Sequence, residues 1–172
     1  MKYSIITVNL NNARGLEDTI QSVVNQTCRD YEFLIIDGGS SDNSTSIIEH
    51  YKNQIDYWIS EPDNGIFNAM NKGIIASKGD YLIFMNSGDC FYNEKVLEES
   101  LQYLGPDFVI GQIKRKDDNT IMNYELGDIS MMTFLSSMRT DLTVRFSVAS
   151  FHTAIRSAKW AACWLSFSGF QK

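Results

Sequence analysis

The sequence lacks the cysteine patterns of disulfide-stapled and zinc-binding proteins. Its three cysteines, Cys28, Cys90 and Cys163, are far apart, odd in number and form no CxxC pair, which favours a reducing compartment. No stretch approaches the roughly 18 consecutive apolar residues of a transmembrane helix, and the amino terminus becomes polar too early for a signal peptide. We therefore expect a soluble protein in the cytoplasm.

Positive charge is also scarce, because 15 lysines and arginines stand against 21 aspartates and glutamates, for a net charge of −6. Sequence-independent binding of nucleic acid needs clustered basic residues, so no nucleic-acid partner is expected. The motifs GxGxxG and GxxxxGKS/T are both missing, which excludes hydride transfer by a Rossmann enzyme and ATP hydrolysis by a P-loop enzyme. With two histidines and no GxSxG motif, the chain offers little for a hydrolytic triad.

Regularly spaced apolar runs indicate an α/β fold. Five runs rich in Ile, Val, Phe and Tyr end 24–27 residues apart, and they lie at 3–10, 31–36, 56–60, 81–86 and 108–113. This spacing fits a strand followed by a crossover helix, which predicts a mainly parallel sheet flanked by helices. The continuous apolar runs FLII and YLIFM fit strands that are buried on both faces.

Four segments between these runs carry apolar residues at helical spacing. Their predicted buried faces consist of Leu16, Ile20, Val23 and Val24; Ile47, Ile48 and Tyr51; Ile66, Met70, Ile74 and Ile75; and Val96, Leu97, Leu101 and Leu104. Ser41 or Asp42 is expected to cap the second helix. After residue 113, the segment KRKDDN predicts a hairpin turn before a strand at 120–124, and Asp128 is the expected cap of a last helix that reaches Met138.

Polar side chains collect where three of the predicted strands end. Asn9, Asn11 and Asn12 follow the first strand, the run DGGSSD at 37–42 follows the second, and the run NSGD at 86–89 follows the fourth. Ligands of open parallel sheets bind outside the carboxyl ends of the strands, so these loops predict one binding site at that edge. An aspartate directly after a buried strand is desolvated on one side, a cost tolerated more readily where it meets a ligand or a cation.

Three segments in this order, SIITVNLNN, FLIIDGGSSDNST and SEPDNGIFNAMNKGIIASKGDYLIFMNSGD, resemble family 2 glycosyltransferases of the GT-A fold. The resemblance covers residues 3–113 and continues more weakly to about 138. It implies a Rossmann-like GT-A fold and an enzyme that moves a sugar, with inversion, from a nucleotide-diphosphate sugar to an acceptor. The implied donor is a UDP-sugar and the implied acceptor a saccharide or a lipid-linked molecule, in cell-surface polysaccharide or glycolipid biosynthesis.

The same resemblance implies which residues bind the donor. They are Thr7, Asn9, Asn11, Asp37, Asp63, Asn71, Lys72 and Asn86. The loop after the first strand would lie against the nucleotide, and Asp37 would accept a hydrogen bond from the base. Asp63 and Asn71 belong to segments that run past the nucleotide and the diphosphate. Lys72 would add positive charge near the phosphates, with a solvated helix lysine as the alternative.

Asp89 matches the last acid of the family's DxD-type motif, which holds a divalent cation, Mg²⁺ or Mn²⁺, on the diphosphate. Where the family often has Asp-x-Asp-Asp, this chain reads Asn86-Ser87-Gly88-Asp89, which leaves a single carboxylate. A hard cation needs few protein carboxylates, because phosphate oxygens and waters complete its octahedron. One carboxylate therefore suffices for the implied role.

The sequence assigns no general base. In the family this acid lies well beyond the DxD motif; here the acids after Asp107 are Asp117, Asp118, Glu125, Asp128 and Asp141, and none has a recognisable catalytic context. A nucleotide-sugar-binding remnant without transferase activity is therefore the alternative function. A sugar-nucleotide pyrophosphorylase is disfavoured, because its glycine-rich, basic N-terminal signature is absent.

The last part of the chain differs in composition from the rest. Residues 1–128 carry 20 acids and 10 bases, whereas residues 129–172 carry one acid and five bases. We therefore expect a donor-binding domain at 1–138 and an atypical, poorly ordered tail at 139–172, produced by truncation or a frame shift. The rival hypothesis is an authentic tail whose aromatic residues make peripheral contact with the inner face of the membrane.

Overall fold

The computed structural model describes residues 3–104 and the short segments 108–110, 113–114, 121–122 and 159–162. The strands are β1 (Tyr3–Asn9), β2 (Tyr31–Asp37), β3 (Tyr57–Ser60), β4 (Tyr81–Asn86), β5 (Phe108–Ile110), β6 (Ile113–Lys114), β7 (Ile121–Met122) and β8 (Lys159–Ala162). The α-helices are α1 (Ala13–Val24), α2 (Ser44–His50), α3 (Ile66–Ala76) and α4 (Val96–Ser100), with 3₁₀ turns at Lys52–Gln54 and Leu101–Tyr103.

Six strands form one sheet in the order β3-β2-β1-β4-β8-β5, and every neighbouring pair is parallel. The predicted parallel α/β sheet is therefore confirmed. The first four predicted strands agree with the structure to within one residue at each end. The fifth predicted run divides in two, because β5 ends at Ile110 and β6 pairs with β7 in antiparallel fashion, as the hairpin prediction requires.

The sheet buries apolar side chains on both faces. On one face, Tyr3, Ile5 and Phe33 pack with the α1 residues Leu16, Ile20 and Val23, which are fully buried as their spacing predicts. On the other face the core consists of Ile6, Val8, Leu34, Ile36, Leu82 and the α3 residue Ala69. Successive strand residues point to opposite faces, so continuous apolar runs such as FLII supply both layers.

Helix α3 approaches the sheet through the small residues Ala69 and Gly73, and Met70 and Ile74 pack against the same core. Ala69 and Gly73 are its buried residues, whereas Ile66 is 41% exposed and Ile75 is 84% exposed, so their prediction as buried residues is wrong. A Cβ atom on Gly73 would lie 2.4 Å from Cγ2 of Ile6. The helix backbone therefore approaches β1 closely, and this close approach sets the rotation of α3 about its axis.

Replacing Gly73 by Ala is expected to destabilise the protein by about 1 kcal/mol, because an overpacking cost of about 2 kcal/mol exceeds a helix-propensity gain of about 1 kcal/mol. Urea unfolding of the full chain measures the change. Ile75→Ala in the same helix is the matched control and should alter stability by less than about 0.5 kcal/mol. A Gly73→Ala variant as stable as the wild type would contradict the close packing of α3 on β1.

A buried carboxylate fixes the opposite, amino-terminal edge of the sheet. Glu32 is 4% exposed and accepts hydrogen bonds from the Ser4 hydroxyl at 2.5 Å and from the backbone N–H groups of Lys78 and Gly79. The Gly79 N–H also donates to Ser4 Oγ at 2.8 Å. These bonds hold the turn before β4 against the starts of β1 and β2.

The predicted boundary at residue 138 and the predicted helix from Asp128 to Met138 lie outside the described residues and stay predictions. Within the predicted tail, the described segment is β8, which lies between β4 and β5. Among the residues that the structure describes, no helix has the length and apolar character needed to cross a bilayer.

Candidate functional site

The polar residues predicted at the carboxyl ends of the strands meet at one edge of the sheet. Asn9 of β1 lies opposite Asp37 of β2, and Asp37 lies opposite Ser60 of β3. On the other side of β1, Val8 lies opposite Asn86 of β4. The three loops that follow β1, β2 and β4 therefore share one rim, as predicted.

Asp37 is the centre of this rim and is fully buried. One carboxylate oxygen accepts from Asn9 Nδ2 at 2.6 Å and Ser40 Oγ at 2.5 Å, and the other accepts from the Ser40 N–H at 2.9 Å and Ser60 Oγ at 2.6 Å. Burial raises the pKa of Asp37, but the hydrogen bonds from Ser40, Ser60 and Asn9 outweigh it and leave the pKa below its ordinary value. Asp37 is thus held as a carboxylate, and its implied contact with a base stays a prediction.

Asn9 connects this carboxylate to the loop after β4. Its amide nitrogen donates to Asp37, and its Oδ1 accepts a hydrogen bond from Ser87 Oγ at 2.6 Å. The same hydroxyl lies 3.1 Å from the Val8 carbonyl oxygen. One buried side chain on β1 therefore joins the ends of β2 and β4.

The loop after β1 is tied to the loop after β2. Asn11 has a φ of +51°, and its side-chain oxygen accepts from the Ser41 N–H at 2.8 Å. The Asp42 carboxylate accepts from the Ala13 N–H at the start of α1 and from the Ser44 N–H at the start of α2. The cap residue of α2 is Asn43 and not the predicted Ser41 or Asp42, but the Asp42 carboxylate binds the first residue of both α1 and α2.

The turn that carries Asp89 is anchored to α1. Oδ2 of Asp89 accepts from the Asn86 N–H at 2.9 Å, and Gly88 has a φ of +102°. The Gly88 N–H donates to the Gly15 carbonyl, and Asn12 Nδ2 donates to the Ser87 carbonyl at 2.9 Å. Asp89 is 7% exposed, so its carboxylate is held in one position against the rim.

The donor chemistry at Asp89 fits one direct contact to a hard divalent cation. A carboxylate oxygen is a hard ligand of the kind that Mg²⁺ and Mn²⁺ prefer, and the Asn86 N–H holds Oδ2 of Asp89 in place. Within residues 3–104 and the short strands, no group of three or more His, Cys, Asp or Glu side chains converges to hold a metal. A cation here would therefore need most of its ligands from phosphate oxygens and water, as the single-carboxylate motif implies.

Lys72 contributes a positive charge near the rim. Its Nζ lies 2.7 Å from Oε1 of Glu61, the residue that follows β3. The Glu61 N–H in turn donates to the Asp37 carbonyl at 3.0 Å, so the ion pair sits beside the edge that holds Asp37. Asn71, the adjacent predicted donor-binding residue, lies on the exposed side of α3.

Two predicted donor-binding residues have buried oxygens without a hydrogen-bond partner among the described residues: Oγ1 of Thr7 and Oδ1 of Asn86. Thr7 is fully buried and shares the face of Tyr3 and Ile5, which lies beneath α1, so the structure does not bring it to the rim surface. Asn86 ends β4 at the rim, and its backbone carbonyl accepts from the Asp89 N–H at 2.9 Å, so the unpaired atom is the side-chain Oδ1.

Sequence reasoning missed Ser60 as part of the site. Ser60 closes β3 and lies in register with Asp37, to which it donates. The detectable signal was a polar residue at the end of a third adjacent strand. Ser40 and Ser87 were within the predicted loops, but their individual roles as partners of Asp37 and Asn9 come from the structure.

The chain is similar to known glycosyltransferases in sequence. The sequence model of the family described as Glycosyl transferase family 2 matches residues 4–161. An uncharacterized glycosyltransferase of Mycobacterium tuberculosis is 38% identical over 102 residues, covering 59% of this chain and 39% of the relative. The poly(ribitol-phosphate) beta-N-acetylglucosaminyltransferase TarP of Staphylococcus aureus is 34% identical over 119 residues, covering 64% of this chain and 36% of TarP. The chain thus spans less than half the length of these relatives.

Solved structures confirm the expected GT-A fold. S. aureus TarS 1-349 in complex with UDP-GlcNAc superposes with a TM-score of 0.61 at 19% identity, over 70% of this chain and 37% of TarS 1-349. The mannosyltransferase PcManGT of Pyrobaculum calidifontis, in complex with GDP-Man and Mn²⁺, has a TM-score of 0.58 at 18% identity, over 68% of this chain and 36% of PcManGT.

Proposed function

Because this chain belongs to glycosyl transferase family 2, we propose that it transfers a sugar from a nucleotide-diphosphate sugar to a saccharide or lipid-linked acceptor, with inversion. The proposed donor is a UDP-sugar, and the proposed setting is cell-surface polysaccharide or glycolipid assembly on the cytoplasmic side of the membrane. TarS, with bound UDP-GlcNAc, and TarP, which acts on poly(ribitol-phosphate), support this choice of donor and acceptor class.

The observation that carries the proposal is the buried polar rim around Asp37. Asn9, Asp37 and Ser60 form a hydrogen-bonded row across the ends of three strands, and Ser87 extends it to β4. Burial of a carboxylate carries a desolvation cost, which the four protein donors around Asp37 offset. Its position, outside the carboxyl ends of a parallel sheet, is where such folds bind ligands.

For the cofactor we propose Mg²⁺ or Mn²⁺, held by Asp89 together with the donor's phosphate oxygens. When bound, the cation neutralises the negative charge that the diphosphate leaving group gains as the glycosidic bond breaks. PcManGT, with bound Mn²⁺, supports a divalent cation at this fold. Two hydrogen bonds fix the position of Asp89. The Asn86 N–H donates to its carboxylate, and the N–H of the preceding residue, Gly88, donates to the Gly15 carbonyl.

Lys72 is proposed to help bind the diphosphate. Its side chain is 25% exposed, and Glu61 holds its ammonium group beside the rim at 2.7 Å. A phosphate oxygen near Nζ would share the ammonium group with Glu61, because an ammonium has three donors. The general base is unassigned, since the acids after Asp107 that could serve lie outside the described residues.

Nucleotide binding by the full chain tests the proposal. A saturating concentration of UDP with Mn²⁺, about 100 times Kd, should raise the melting temperature by about 5–10 °C, because a ligand bound only by the folded state adds about 2.7 kcal/mol. Chelation of the metal with EDTA should remove most of the shift. If no nucleoside diphosphate raises the melting temperature with Mn²⁺ or Mg²⁺, the proposal is wrong.

A transfer assay separates the two candidate activities. Incubating the chain with radiolabelled UDP-sugars and lipid or saccharide acceptors should release UDP and label the acceptor. Donor hydrolysis without acceptor labelling still indicates a competent reaction centre. Binding of UDP with neither hydrolysis nor transfer would instead support the binding-only alternative.

A further inference from the structure

A row of small and polar residues on α1 holds the segment that follows β4. Its members, spaced three or four residues apart on one side of the helix, are Gly15, Thr19, Ser22 and Gln26. The Ser22 hydroxyl accepts a hydrogen bond from the Phe91 N–H at 3.3 Å. The buried Gln26 side chain donates to the Asn93 carbonyl at 2.7 Å and accepts from the Leu97 N–H at 3.1 Å. The segment is therefore held on α1 along its length.

Thr19 is the member of this row whose side chain reaches the Asp89 turn, and it is fully buried. Its Oγ1 accepts a hydrogen bond from the Gly88 N–H at 2.9 Å and lies 2.8 Å from the Asp89 carbonyl oxygen. The Gly15 carbonyl at 3.0 Å and the Asn86 carbonyl at 3.4 Å are further acceptors for the same proton. A hydroxyl donates one proton, and the Asp89 carbonyl is the nearest of the three acceptors.

The backbone is held on both sides of the Asp89 Cα atom. On the amino side, the Asp89 N–H donates to the Asn86 carbonyl at 2.9 Å. On the carboxyl side, the Asp89 carbonyl accepts from the Thr19 hydroxyl. Because a peptide group is planar and rigid, fixing both groups also fixes the direction in which the Cα–Cβ bond of Asp89 leaves the chain. Thr19 thus acts on the aim of a carboxylate that it does not touch.

The residue before Asp89 makes this support necessary. Gly88 has a φ of +102°, and glycine has the widest choice of backbone conformations, so the turn could take up other shapes without outside contacts. The Gly88 N–H also donates to the Gly15 carbonyl at 3.0 Å, which would keep the turn near α1 without the Thr19 hydroxyl. Loss of that hydroxyl should therefore change the direction of Asp89 more than the fold around it.

We propose that Thr19 is a positioning residue, whose hydroxyl directs the Asp89 carboxylate toward the proposed divalent cation. This inference rests on the proposed function. A fully buried side chain cannot contact a ligand at the rim surface, so the effect of Thr19 passes through Asp89. Mg²⁺ demands a near-ideal octahedral arrangement of its ligands. With one carboxylate proposed to bind the cation, an error in its direction is not corrected by a second protein carboxylate.

Thr19→Val tests this role, because valine keeps a β-branched side chain of similar size and removes the hydroxyl. Isothermal titration calorimetry on the full chain would measure the Kd of UDP with Mn²⁺ and in EDTA. We expect the strengthening of UDP binding by Mn²⁺ to fall about tenfold, the lower end of the losses seen when a residue that orients a metal ligand is removed. UDP binding in EDTA should match the wild type.

Two further substitutions separate positioning from packing. Thr19→Ser keeps the hydroxyl and should keep the full Mn²⁺ effect. Ser22→Ala is the matched control, because it removes the hydroxyl that holds Phe91 in the same row and should also keep the Mn²⁺ effect. Thr19→Ala removes the hydroxyl with a smaller side chain, should repeat the tenfold loss, and provides the test if Thr19→Val does not fold. Circular dichroism shows which variants are folded.

The outcomes distinguish this inference from the proposed function. If Mn²⁺ strengthens UDP binding to the wild type and equally to the folded variants without a hydroxyl at position 19, the inference is overturned and the proposed function stands. An equal loss in Thr19→Ser or Ser22→Ala, or an equal weakening of UDP binding in EDTA, also overturns the inference, because the cause would then be packing or a general loosening of the segment. A wild type that binds no nucleoside diphosphate would overturn both.

Discussion

Asp37→Asn is expected to lower the free energy of unfolding by about 2–4 kcal/mol, because it leaves a buried N–H donor without an acceptor. In either orientation the new amide nitrogen faces a group that can only donate: the Ser40 N–H on one side or the Asn9 amide nitrogen on the other. Urea unfolding of the full chain near neutral pH measures the loss. Asp18→Asn, the same change at an exposed position of α1, should alter stability by less than about 0.5 kcal/mol.

The same variant should also change how stability depends on pH. The pKa of Asp37 is lower in the folded than in the unfolded protein, so its carboxylate stabilises the fold above about pH 4, and this contribution is lost as the pH falls through the folded-state pKa. An asparagine cannot titrate. The stability difference between wild type and Asp37→Asn should therefore shrink on acidification below about pH 4. A difference that stays constant or grows there would contradict the assigned charge state.

Mn²⁺ is expected to strengthen UDP binding to the wild type. Asp89→Asn is expected to reduce this Mn²⁺ effect roughly 100-fold, because it removes the one carboxylate proposed to contact the cation. The asparagine oxygen can still accept from the Asn86 N–H, so the turn should keep its shape. UDP binding in EDTA should therefore match the wild type. Calorimetry with and without Mn²⁺ measures both quantities.

The control for this experiment is Asp18→Asn, which removes the same charge from the exposed side of α1. It should keep the full Mn²⁺ effect, which separates direct contact from a general change in net charge. Persistence of the Mn²⁺ effect in Asp89→Asn would show that the cation is held elsewhere.

The sequence predicted the sheet well because its strands are buried on both faces. Continuous apolar runs such as FLII mark such strands, and each run ends abruptly at a polar residue such as Asn9 or Asp37. Those abrupt ends located the rim, since parallel strands bring their carboxyl ends to one edge. The family resemblance then predicted the fold and the function class. The comparisons confirm that the chain belongs to glycosyl transferase family 2 and has the GT-A fold.

Contacts that depend on register or on close approach could not be predicted. The bond from Ser60 to Asp37 needs the exact pairing of β2 with β3, which apolar periodicity does not fix to one residue. The exposure of Ile66 and Ile75 follows from the contact of Gly73 with Ile6, because small residues let the helix turn a different face to the sheet. Strand β8 was not predicted, because the sequence after Met138 shows no convincing periodicity.

The anchoring of the Asp89 turn on α1 has a consequence for binding energetics. Two hydrogen bonds tie the turn to the start of α1, whose apolar face is fully buried: one from the Gly88 N–H to the Gly15 carbonyl and one from Asn12 Nδ2 to the Ser87 carbonyl. The conformational entropy of placing this carboxylate is therefore lost when the domain folds and not when a donor arrives. Such preorganisation should reduce the unfavourable entropy of donor association, and amide hydrogens of the turn should exchange as slowly without nucleotide as those of α1.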